Sequence, residues 1–101
     1  MLVTSIILFA VAAVGGLFLA VRHFKKTELP MSVALIHGIV AAIALVLLII
    51  AIVFGSGSGL LSTALVLFVV AAILGFFLFG MYIRKHPLGN GLLSMHAIFA
   101  V

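Results

Sequence analysis

The sequence predicts an all-α membrane protein of four transmembrane helices, arranged as two tandem helical hairpins. Three observations carry that expectation. The 101 residues are 68% hydrophobic and 6% charged, with a mean hydropathy of +1.69, so the chain lacks the polar surface a soluble domain of this size requires. All five Lys and Arg fall in two short linkers beside apolar segments. Residues 3–42 align without a gap on residues 62–101, 59 positions later, and 14 of those 40 pairs are identical.

Each segment follows in order. Residues 2–21, 32–54 and 60–83 are apolar runs that reach about 30 Å or more at helical rise, enough to cross a bilayer core. The first is not expected to be a cleaved signal peptide, because no Lys or Arg precedes its apolar run. The fourth segment, residues 91–101, spans only ~17 Å and cannot cross alone. Either the chain continues, or a second subunit covers the helix end, whose last carbonyls lack partners in lipid. A homodimer is the expectation that follows. The whole is read as a single integral membrane domain over residues 1–101, with repeat one at 3–54 and repeat two at 62–101.

The linkers orient the chain. RHFKKTELP follows the first segment and RKHPLGNG the third, whereas GSGSG between the second and third carries no charge. Arg22, Lys25, Lys26, Arg84 and Lys85 therefore lie on one side, which the positive-inside rule assigns to the cytoplasm, with both termini outside. A bacterial inner (plasma) membrane is the expected location. The net charge of +4 is accounted for by this pattern, so nucleic acid is not an expected partner and membrane lipid is. With no cysteine, disulfides, iron–sulfur clusters and thiolate metal sites are excluded.

The identical pairs of the alignment include Thr4/Thr63, Phe9/Phe68, Ala12/Ala71, Gly16/Gly75, Phe18/Phe77, Lys26/Lys85 and His37/His96. Apolar composition alone matches Leu, Val, Ala and Ile by chance. It does not so readily align a histidine, a glycine, a threonine and a lysine in one register. The expected symmetry is two hairpins inserted the same way, related by an axis along the membrane normal.

The four histidines divide by depth. His23 aligns with Tyr82 and His86 with Thr27, so neither is shared, and both read as interfacial residues among the bases. His37 and His96 lie about seven residues past Pro30 and Gly89, ~10 Å below that interface. An ionisable group at that depth is costly enough to expect a use. Zinc or copper normally takes three or four ligands, and no intramembrane Asp, Glu or Cys is present. Haem needs two axial ligands, and two neutral imidazoles suit its iron. Phe9, Phe18, Phe68 and Phe77 could wall such a group. Gly16 and Gly75, at similar depth, either let a flat macrocycle approach the backbone or let helices pack closely. Arg22, Lys25, Lys26, Arg84 and Lys85 stand where propionates could pair with them, and they also suffice as topology signals and anionic-lipid contacts.

With His37 and His96 paired on equivalent helices, the chain resembles small four-helix b-type cytochromes, in the broad manner of bacterial cytochrome b561-like membrane haem proteins. The resemblance covers the architecture and the histidine pair. Those families commonly hold two haems on four intramembrane histidines, and this chain carries one such pair. The resemblance implies haem b (iron protoporphyrin IX) and electron transfer with small partners: a quinone, superoxide or another oxygen species, or a redox protein. On that reading the chain is an oxidoreductase of the electron-transfer type, with no catalytic residue of its own assigned. The rival expectation is a non-redox structural or accessory membrane protein in which the histidine pair holds helices together.

Overall fold

The computed structural model of the chain describes residues 2–56, 59–85 and 89–100. His86 and the centre of GSGSG lie outside the described residues. Four helices make up the molecule: α1 Leu2–Phe24, α2 Met31–Ala51, α3 Gly59–Ile83 and α4 Asn90–Ala100. No strand occurs among the described residues. Three spans, Leu2–Phe24, Met31–Gly55 and Gly59–Ile83, are long and apolar enough to cross a membrane. The molecule measures 44 × 22 × 19 Å, its long axis close to the ~40–45 Å of a bilayer with its headgroup layers.

Helix α1 runs three residues further than its apolar segment, taking in Arg22 and His23 before it stops. The stop is a Schellman turn. Lys26 adopts φ +58°, its N–H donates to His23 O at 3.0 Å, and Thr27 N–H donates to Arg22 O at 3.0 Å. Helix α3 ends alike, with Lys85 also at φ +58° and its N–H on Tyr82 O at 3.1 Å. Pro30, at φ −70° and ψ 130°, starts α2 and costs it nothing, since the first N–H groups of a helix have no partner in any case. The chain leaves α2 through a wider turn over Ile52–Ser56, where Gly55 takes φ +128°, a conformation that only glycine adopts easily.

Helix α1 packs on α2 and α3 on α4, giving two hairpins, which meet each other less extensively. The buried residues are mostly small: Ser5, Ala12, Ala44, Ala51 and Ala71, with Leu48 and Leu78. In a bilayer no hydrophobic driving force separates helix from lipid, so association rests on close backbone approach and dispersion, which small residues permit. Ser5 and Ala44 are fully buried against each other, and Ser5 Oγ donates to Ala44 O at 2.8 Å. Large side chains such as Phe54 (83% exposed) and Leu60 (81%) face outward, as a lipid solvent allows.

Candidate functional site

His37 and His96 are held in the same way. His37 on α2 reaches across its hairpin to α1, where its Nδ1–H donates to Ala12 O at 2.8 Å. His96 on α4 reaches α3, where its Nδ1–H donates to Ala71 O at 2.6 Å. A carbonyl oxygen only accepts, so each neutral ring carries its proton on Nδ1 and keeps a lone pair on Nε2. Neither Nε2 has a hydrogen-bond partner among the described residues. An imidazole whose Nδ1–H is fixed on a backbone carbonyl is the usual state of a metal-ligating histidine, because the bond orients the ring and raises its basicity.

Glycine makes room for each ring. A Cβ at Gly16 would lie 2.9 Å from Cε1 of His37, and one at Gly75 would lie 3.0 Å from Cε1 of His96. The first separation is shorter than carbon atoms tolerate, and the second is tight enough that the ring would have to shift. Gly15 adds to the first cradle, with a Cβ there 3.7 Å from His37 Cβ. Of the two uses the sequence offered for Gly16 and Gly75, neither names the occupant that the structure shows, which is the imidazole of the same hairpin.

The hairpins bring the two rings together. Their centroids are 6.2 Å apart and their planes are nearly perpendicular, at 87°. One metal ion between two imidazoles, with metal–nitrogen bonds of ~2.0–2.1 Å and each nitrogen about 1 Å from its ring centroid, sets a spacing of about 6 Å. The observed centroid spacing is of that order. No group of three or more His, Cys, Asp or Glu that could hold a metal occurs among the described residues, so a closed zinc-type site is not assembled. On the side of the pair away from the basic loops, Phe9 and Phe68 stack across the hairpins at 4.1 Å and 9°. Phe18 lies instead under the Arg22 guanidinium, 5.6 Å from it, and Phe77 is exposed.

The basic residues are not equivalent. Arg22 is tied to its own loop, donating from Nε at 2.9 Å and Nη2 at 2.8 Å to Glu28 O. Lys25, Lys26, Arg84 and Lys85 are exposed. Two polar contacts join the hairpins at this end: His23 Nε2–H donates to Asn90 Oδ1 at 2.8 Å, and Tyr82 Oη donates to Leu29 O at 2.6 Å. The sequence alignment sets His23 opposite Tyr82 and so hides their common task, since each reaches from the last turn of one hairpin's first helix to the other hairpin. Asn90, a lone polar residue at the head of an apolar run, was the available signal. The chain matches no family model, no curated protein and no solved structure, so its functional reading comes from this geometry.

Proposed function

We propose that the protein is a membrane-bound b-type cytochrome in which His37 and His96 are the axial ligands of one haem, working as a one-electron carrier. The observation that carries this reading is the pair of imidazoles 6.2 Å apart, each with Nδ1 committed to a carbonyl and Nε2 free. Haem bound there supplies an iron that cycles between two oxidation states. With both axial positions taken by histidine, no position is open for oxygen insertion or peroxide cleavage, which leaves outer-sphere electron transfer. The protein's part is to hold both Nε2 lone pairs in place, and the Ala12 and Ala71 carbonyls and the two glycine cradles do so.

The same reading takes the chain as two parallel-related hairpins, the fourth helix crossing with the other three. It sets the basic loops on the cytoplasmic side of a bacterial inner membrane. Matching hydrogen bonds at His37 and His96, matching left-handed residues at Lys26 and Lys85, and the meeting of Phe9 with Phe68 all support the repeat. The electron partner is a quinone, an oxygen species or a redox protein. Protein purified from membranes should be red, with the optical spectrum of six-coordinate low-spin haem. His37→Ala and His96→Ala should each convert it to five-coordinate or haem-free protein, while Lys25→Gln leaves it unchanged.

One observation favours a second reading. Each histidine bonds within its own hairpin, and such a bond also fastens two helices. A colourless protein that loses helix pairing, and nothing else, on His37→Ala would be the structural protein of that alternative.

A further inference from the structure

We propose, independently of the haem reading, that the two basic turns are a matched pair of binding sites for anionic phospholipid, one phosphate headgroup to each hairpin.

Every Lys, Arg, Asp and Glu of the protein lies within residues 22–28 or 84–85. Arg22, Lys25 and Lys26 with Glu28 leave the first turn two charges positive, and Arg84 and Lys85 leave the second the same. The side chains of Lys25, Lys26, Glu28, Arg84 and Lys85 have no ion pair or hydrogen bond among the described residues. Arg22 is turned onto a neutral carbonyl, Glu28 O. The positive field of both turns is therefore uncompensated within the protein.

A topology signal needs charge on one side only, whereas here the position of the charge is repeated as well. Lys26 and Lys85 each take the left-handed residue, φ +58°, that follows the first helix of a hairpin, a place glycine fills without strain. Each turn then leads into a helix, α2 at Met31 and α4 at Asn90, with no acidic residue in its first turn. The free N–H groups of those helix starts add to the attraction for an anion.

The level selects lipid as the source of the phosphate. Lys25 and Arg84 are the first residues past α1 and α3, and Lys26 and Lys85 the second. The molecule is 44 Å long, about the thickness of a bilayer with its headgroups. These residues therefore stand within the headgroup layer, beside lipid phosphates, and not beyond it where a soluble partner would dock. The Tyr82–Leu29 and His23–Asn90 bonds join the two turns across an end no wider than 22 × 19 Å. Phosphate oxygens accept charge-assisted bonds from Lys and Arg, and each such cation near a membrane surface is worth about fivefold in affinity.

Native mass spectrometry of the full-length protein in a neutral detergent, titrated with phosphatidylglycerol or phosphatidylcholine, counts the lipids retained. The parent should keep two phosphatidylglycerols per chain, with a preference of about twentyfold or more over phosphatidylcholine. Lys25→Gln/Lys26→Gln and Arg84→Gln/Lys85→Gln should each lose one of the two. A micelle has no sides, so altered membrane insertion does not confuse the reading. Where a double variant does not fold, Lys26→Gln and Lys85→Gln singly should each lower retention about fivefold. Inorganic phosphate should compete no better than chloride at the same ionic strength. Equal retention of the two lipids by the parent overturns the proposal, as does a preference that none of these substitutions lowers. Displacement by inorganic phosphate beyond the matched chloride also overturns it, making the turns sites for soluble phosphate. A colourless protein that keeps the lipid preference loses the haem reading and keeps this one.

Discussion

One methyl group at Gly16 would sit 2.9 Å from Cε1 of His37, and at Gly75 3.0 Å from Cε1 of His96. The neighbour in each case is a ring clamped by its own hydrogen bond and unable to step aside cheaply. Gly16→Ala and Gly75→Ala should each destabilise the protein by about 1–3 kcal/mol, as overpacking does. On the haem reading they should also disturb the low-spin spectrum. Thermal melts in detergent, followed by helicity and by the optical band, check both effects; a variant indistinguishable from the parent would show that the ring has another resting place. Ser5→Ala is a milder change, removing one buried hydrogen bond to Ala44 O. Its expected cost is about 0.5–1 kcal/mol, since intramembrane hydrogen bonds average below 1 kcal/mol. At this scale the sequence singled out His37, His96, Gly16 and Gly75, and the structure sets each glycine against the ring of its own hairpin. The sequence could not say what they touch, because the acceptors are backbone carbonyls of Ala12 and Ala71, and any residue supplies a carbonyl.

Helix ends carry the next predictions. Lys26 and Lys85 occupy left-handed positions at φ +58° where glycine is the unstrained choice, and left-handed backbone costs an L residue about 1 kcal/mol. A lysine there keeps a positive charge at a helix C-terminus, which offsets part of that cost. Lys26→Gly should therefore raise unfolding free energy by about 0.5–1 kcal/mol in a neutral detergent, and less in anionic lipid, where the lost charge matters. Equal or lower stability in the neutral detergent would mean that the charge outweighs the strain. Gly55→Ala works in the opposite sense, forcing a side chain into φ +128°, and should cost about 1 kcal/mol or more. The helices themselves were legible as apolar runs of sufficient length. Their inward faces were not, because a helix in lipid is apolar all round and its periodicity is faint. Hence the seam partners His23 and Asn90 emerge only from the fold, although both residues stand out as polar in the sequence. Arg22 likewise reads as one base among five, and the structure turns it onto Glu28 O.

Across the whole molecule, the hairpins touch at successive levels: the Phe9–Phe68 stack, the His37–His96 pair, then the His23–Asn90 and Tyr82–Leu29 bonds at the basic end. The proposed orientation is checked by single-cysteine labelling, which is clean in a chain without cysteine. An impermeant maleimide added to intact cells should label Ser56→Cys and spare Lys25→Cys, and the reverse pattern would invert the topology. The buried residues are mostly alanine, with Ser5, Leu48 and Leu78, and most large side chains point outward. A saturation survey of viable substitutions would therefore run opposite to that of a water-soluble protein. Bulky positions such as Leu60 and Phe76 should exchange freely among aliphatic and aromatic residues. Ala12, Ala44, Ala71, Gly16 and Gly75 should admit almost nothing, so the least conspicuous letters of the sequence would be the ones selection guards most closely.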